Sequence, residues 1–150
     1  MTTIAHATIV MERTYSASPA RVFAAWSDVE ARKRWSAPAD NIRIEYEAAA
    51  FREGGKDVSR CIEPGNADYV ATVNYLDIRK DQRIVFAEDV VHGNKRVSAA
   101  LISVELTPKD AQTHLALTMQ IASFDDAGME AGYQFGWSAA LDNLAKEFSQ

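Results

Sequence analysis

Tyr133, Trp137, Leu141, Leu144 and Phe148 recur at spacings of four, four, three and four. That is the period of one apolar face on an α-helix. The spacing predicts a terminal helix from about Ala127 to Phe148, roughly 33 Å long at ~1.5 Å rise per residue. Two large aromatics on its inner face require a wide partner surface. The preceding residues must supply that surface.

They read as strands. Thr8 to Tyr15 is rich in β-branched residues and predicts a first strand. It ends at Ser18-Pro19, where serine suits an N-cap and proline the first helical position. Val22 and Trp26 then share one face of a short helix. Ser27 and Glu30 match a capping box, predicting a second short helix that ends near Trp35. From Asn41 onward the period is two: Ile42, Ile44 and Tyr46 alternate with Arg43, Glu45 and Glu47. Turn signals at Pro64-Gly65-Asn66, Lys80-Asp81-Gln82, His92-Gly93-Asn94 and Pro108-Lys109-Asp110 divide the remainder into strands of hairpin connection. Leu115, Leu117, Met119 and Ile121 alternate with Ala116, Thr118 and Gln120, so one face of that strand is buried and the other wet.

Hairpin-length connections make the sheet antiparallel. A helix on one face of such a sheet is α+β architecture. The expectation is a curved sheet of six to seven strands wrapped around the terminal helix, in one domain over residues 1–150. Small residues such as Ala99 and Ala100, read as inward-facing, leave room for an apolar cavity. A solid core fits the same pattern.

Composition excludes several classes. The net charge is −5, and the basic residues are scattered rather than clustered. That argues against nucleic acid as a partner. The densest basic group, Arg32 to Arg34, reads as the solvated face of a short helix. Cys61 is alone, so no internal disulfide forms, and a reducing, cytoplasmic location is expected. Neither a signal-like N-terminus nor a membrane-span-length apolar run is present.

In element order and in local strings the chain resembles the SRPBCC or START-like superfamily with the helix-grip fold. Within it, the chain is similar to the C-terminal domain of the activator of the ninety-kilodalton heat-shock protein ATPase. The resemblance rests on Arg13, on Ala17-Ser18-Pro19-Ala20-Arg21-Val22-Phe23, and on Ala25-Trp26-Ser27-Asp28. Arg34-Trp35, Gly54-Gly55-Lys56, Ile84-Val85-Phe86, Gly136-Trp137 and Leu141-Asp142-Asn143-Leu144 continue it. The group usually has proline where this chain has Ser18 or Val29, and a second aromatic where it has Ser36. Phe135 replaces a usually polar residue on the side opposite Trp137, which suits a homodimer contact or a lone exposed aromatic. The extra N-terminal domain of the eukaryotic activators is not expected here. The resemblance implies small-molecule carriers, polyketide cyclase-like enzymes, stress-related proteins or chaperone cofactors. One fold hosts all of these, so function must be argued from a site.

Candidate chemistry is sparse. His6, His92 and His114 show no metal-ligand spacing, and neither a metal nor a cofactor is expected. No serine has a nucleophile-elbow context. Gly54-Gly55-Lys56 lacks the rest of a phosphate loop and reads as a bend at a sheet corner. Glu88-Asp89, beside Phe86, is the acidic pair on an apolar strand. Glu88, with Tyr75, is the acid–base candidate; in the competing reading one carboxylate meets solvent and the other pairs with Arg60 or Arg83. Trp26, Trp35, Phe51, Tyr75, Phe86, Met119, Tyr133 and Trp137 are the candidate ligand-binding residues. The leading expectation is a non-catalytic module for a small hydrophobic or amphipathic molecule. A cyclase- or hydrolase-like enzyme and a protein acting on a chaperone ATPase are the alternatives.

Overall fold

The computed structural model describes residues 3–149. Its strands are β1 (Ile4–Tyr15), β2 (Arg43–Ala48), β3 (Lys56–Ile62), β4 (Tyr69–Arg79), β5 (Arg83–His92), β6 (Lys95–Lys109) and β7 (Gln112–Phe124). They form one antiparallel sheet in the order β1-β7-β6-β5-β4-β3-β2. Hairpins join β2 through β7 in sequence, and β1 closes onto β7 with Ile4 opposite Phe124 and Tyr15 opposite Thr113. β1 starts at Ile4 rather than Thr8, because the ladder to β7 extends it along an exposed edge where no hydrophobic alternation marks it.

Register shifts interrupt the ladders at Tyr46/Ala48, Tyr75/Asp77 and Val90/Val91. Bulges of this kind bend a strand and increase its twist. All three lie in the β2–β5 half of the curved sheet. Gly54, at φ +78°, makes the turn entering β3. Gly55 follows it so closely packed that a Cβ would lie 2.1 Å from the Ala50 carbonyl oxygen. The Gly-Gly pair is therefore the expected corner bend.

Two short helices, α1 (Pro19–Ser27) and α2 (Val29–Trp35), follow β1. Ser18 caps α1, its Oγ accepting from the Arg21 N–H. The cap of α2 is Asp28, not Ser27: Asp28 Oδ1 accepts from the Glu30 N–H at 3.0 Å. Ser27 remains the last residue of α1 and donates to the Ala24 carbonyl. Extended backbone at Asp28 separates the two helices, so only Asp28 can serve as the cap.

The terminal helix, α3 (Met129–Leu144), continues into a 3₁₀ turn over Ala145–Phe148. Its α-helical part is roughly 24 Å long, shorter than the spacing predicts. Left-handed backbone at Asp125, Asp126 and Gly128 delays its start, and the last turn tightens. The apolar stripe holds: Tyr133, Leu141 and Leu144 are buried, and Trp137 and Phe148 are half-buried. The Tyr15 hydroxyl donates to the Leu141 carbonyl at 2.7 Å, fixing the helix to β1. Phe135 points away from the sheet and is 63% exposed.

The core fills one half of the space between α3 and the sheet. Ile102, Val104, Leu115, Leu117 and Met119 from β6 and β7 are fully buried there, beside Leu141 and Leu144. Of the two alanines read as inward-facing, only Ala100 is buried. Ala99 pairs with Ala122 and lies on the outer face, since neighbours on a strand point to opposite sides. No helix among the described residues is long and apolar enough to cross a membrane.

Candidate functional site

The other half of that space, under β2–β5, is not filled. Two adjoining cavities of about 210 and 190 Å³ lie there. They share Ser36, Ile44, Ser59, Cys61, Ala71 and Trp137. Among the described residues, none from β1, β6 or β7 lines either one. The cause is side-chain size. β3 and β4 present Ser59, Cys61 and Ala71 where β6 and β7 present leucine, isoleucine and methionine. Gly132 and Gly136 thin the facing side of α3.

The 210 Å³ cavity is the more apolar, walled by Ile44, Val90, Met129, Tyr133, Trp137 and the two helix glycines. The 190 Å³ cavity is lined by Trp26, Trp35, Tyr46, Tyr75, Phe86 and Trp137, together with Arg32, Asp57 and Glu88. Trp26 stacks on Trp137 with ring centroids 5.9 Å apart and planes 10° apart, and Trp35 leans against both. The Trp35 indole N–H is satisfied by the Ala25 carbonyl. The polar edge of Trp35 is thus held while its ring borders the void.

Of the candidate ligand-binding residues, Trp26, Trp35, Tyr75 and Phe86 line the second cavity, Tyr133 lines the first, and Trp137 lines both. Phe51 and Met119 line neither. Phe51 packs edge-on against Phe23 and Tyr75, behind the cavity wall. Met119 is sealed in the β6–β7 core at 0% exposure.

Arg32 overturns its expected place on a solvated helix face. It is 5% exposed, while Lys33 and Arg34 do meet solvent. Its Nη1 donates to Asp57 Oδ2 at 2.5 Å and to the Tyr75 hydroxyl at 2.9 Å. Tyr75 in turn donates to the same Asp57 oxygen, and Asp57 Oδ1 accepts from the Ala50 N–H at 2.9 Å. The guanidinium lies over the Tyr46 ring at 5.1 Å and the Phe51 ring at 5.8 Å. Burial opposes its charge, but Tyr46, Tyr75 and Asp57 more than offset this and hold its pKa above the ordinary value. Arg32 stands three residues before Trp35, so both fall on the helix face turned to the sheet. That spacing was the available signal.

Glu88 lies on the inward face of β5, between Phe86 and Val90 on the same side, and reaches the second cavity. Desolvation raises its pKa to about 7; the Tyr133 hydroxyl opposes the shift and Asp89 adds to it. Tyr133 also contacts Ser98 Oγ at 3.2 Å, and burial and the nearby Glu88 push its own pKa up. Asp89 points outward, 3.6 Å from Arg96. Neither Arg60 nor Arg83 pairs with these carboxylates: Arg60 meets Glu47 and Asp68, and Arg83 meets Asp77. Glu88 and Tyr75 therefore share one cavity, with the Tyr75 proton already committed to Asp57. Cys61 borders both cavities, and burial pushes its thiol pKa up, which suppresses the reactive thiolate. The histidines stand apart from this site: His92 stacks on Tyr69, and His114 contacts Glu12.

Similarity to known proteins runs through this same architecture. The model of the family described as Activator of Hsp90 ATPase homolog 1-like protein matches residues 16–149. The solved Mll3558 protein from Rhizobium loti is 38% identical, with 97% of this chain and 99% of that one covered at a TM-score of 0.87. An uncharacterized protein from Rhizobium leguminosarum is 29% identical over 98% of this chain and 97% of its own, with a TM-score of 0.88. A protein from Chromobacterium violaceum, 21% identical over 93% of this chain and 96% of its own, shares the fold at a TM-score of 0.79. Among curated proteins, none matches. With a family model spanning the first helix to the last turn and a relative this similar along its whole length, the chain belongs to the Activator of Hsp90 ATPase homolog 1-like family.

Proposed function

We propose that this protein binds a small amphipathic molecule, without transforming it, between α3 and the β2–β5 half of the sheet. One observation carries the reading: the two adjoining cavities, one apolar and one ringed by aromatics with buried polar groups. Concave apolar spaces with a few convergent polar groups are the usual form of small-molecule sites. Together the cavities suit a compact ligand rather than a long lipid chain. The apolar body would lie against Ile44, Val90 and Trp137, and the polar end near Tyr46 and Glu88.

Thermal melts and tryptophan emission in the presence of small apolar alcohols test this. Binding raises Tm and changes the emission of Trp26, Trp35 and Trp137, which all border the second cavity. Ala71→Leu, filling a position common to both cavities, removes the response. If wild-type protein gives no shift with any probe, or if Ala71→Leu responds as wild type does, the reading fails.

A second reading is favoured by the meeting of Glu88 and Tyr75 in one cavity. A carboxyl titrating near neutrality is suited to proton transfer. In a cyclase- or hydrolase-like enzyme Glu88 would carry the proton and Tyr75 would orient the substrate. The commitment of the Tyr75 proton to Asp57 weighs toward binding alone. Turnover of a bound compound that vanishes in Glu88→Gln while binding persists would favour the enzyme.

A further inference from the structure

Charge in the second cavity is unevenly matched. Arg32 faces Asp57 across 2.5 Å, so that cation has its counter-ion. Glu88 forms no ion pair among the described residues; its carboxyl meets the Tyr133 hydroxyl and shares the cavity with aromatic rings. The groups around it are Tyr133 on α3, Asp89 on its own strand, Tyr75 on β4, Tyr46 on β2, and the Arg32–Asp57 pair of α2 and β3. The tyrosines are neutral at physiological pH, the ion pair is balanced, and Asp89 turns outward to Arg96. An ionised Glu88 therefore leaves the cavity with an uncompensated negative charge.

Ring faces reinforce that preference. Trp26 and Trp137 stack at the cavity edge, and Tyr46, Tyr75 and Phe86 complete the wall. Aromatic faces carry negative potential and attract cations, most strongly when water is excluded. A carboxylate opposite such faces complements an ammonium group.

We propose that the ligand of this site is a small amphipathic amine. Its ammonium group pairs with Glu88 inside the aromatic ring, and its apolar body occupies the neighbouring cavity beside Ile44 and Val90. The inference rests on the binding reading above and names the class of molecule bound.

Three probes of nearly equal shape test it by calorimetry and tryptophan emission: phenethylamine, phenethyl alcohol and hydrocinnamate. Near pH 8.5 Glu88 is ionised and the amine is still largely protonated. The amine then binds about tenfold tighter than the alcohol, and hydrocinnamate binds weakest. Lowering the pH to about 5.5 protonates Glu88 and brings the amine down to the level of the alcohol, because the ion pair is lost while the apolar contacts stay. Glu88→Gln gives the same levelling at both pH values. A shared affinity for amine and alcohol at the higher pH, or an amine preference surviving in Glu88→Gln, overturns the proposal while leaving the binding site standing. Tightest binding by hydrocinnamate also overturns it and points to Arg32. If none of the three probes binds, both the amine proposal and the binding reading fail.

Discussion

Removing the Asp57 carboxylate strands the Arg32 guanidinium in a buried site with the Tyr75 hydroxyl as its remaining hydrogen-bond acceptor. Asp57→Ala is accordingly expected to cost ~3–5 kcal/mol in urea denaturation. The double variant Arg32→Met/Asp57→Asn recovers at least half of that loss, because the lone charge goes and an acceptor for the Ala50 N–H stays. Glu88 behaves oppositely. Its folded pKa, about 7, lies above the ordinary carboxyl value of 4.5. The cost of burying its charge is therefore absent at low pH and grows as pH rises from the unfolded pKa through the folded one. Glu88→Gln should match wild type in stability near pH 4.5 and exceed it near pH 8.5. The gain is at most ~3 kcal/mol, the free energy that separates a carboxyl titrating at 4.5 from one titrating at about 7. Paired denaturation curves at the two pH values measure it, and equal curves at both would show Glu88 to be well solvated.

On α3, the two glycines have a cost and a use. Glycine in a helix interior is less favourable than alanine by ~0.5–1 kcal/mol. A Cβ at Gly136 would meet nothing within 4 Å, and one at Gly132 would meet only Met129 Sδ at 3.9 Å. Gly136→Ala should therefore raise stability by ~0.5–1 kcal/mol in thermal melts, while its methyl narrows the first cavity and weakens probe binding. A loss of stability would mean that α3 sits closer to the sheet than described. Trp137 shows the same division between packing and opening. It is half-buried because one side of its indole stacks on Trp26 and the rest borders the void. Its truncation should cost less than the ~3–5 kcal/mol of a fully packed tryptophan.

Across the whole molecule, the pairing of β1 with β7 joins residues as distant as Ile4 and Phe124. Loop-closure entropy must be met before such contacts form, which makes refolding slow for a domain of this size. Stopped-flow tryptophan fluorescence should show refolding in the millisecond-to-second range. Trp26 and Trp35 pair between the first two helices, and Trp137 joins them only when α3 docks, so its stacking on Trp26 reports the completed fold. A submillisecond phase carrying the full signal would mean the helices assemble without the closed sheet.

The sequence alone determined the elements and their order. Periods of 3.6 and 2 mark which residues face inward, and hairpin-length turns leave few ways to connect the strands. Trp26, Trp35 and Trp137 were readable as neighbours on the same grounds. What the sequence did not reveal was the burial of Arg32, since a charged residue beside Lys33 and Arg34 reads as surface until its partner, Asp57 on a distant strand, is in view. Nor could it separate cavity from core: Met119 and Phe86 stand on one rung of the sheet, either side of Ile102, yet Met119 is sealed in the core and Phe86 borders a cavity, and only the tertiary arrangement decides which. Volume is a property of what stands across the gap, and residues facing each other there are far apart along the chain.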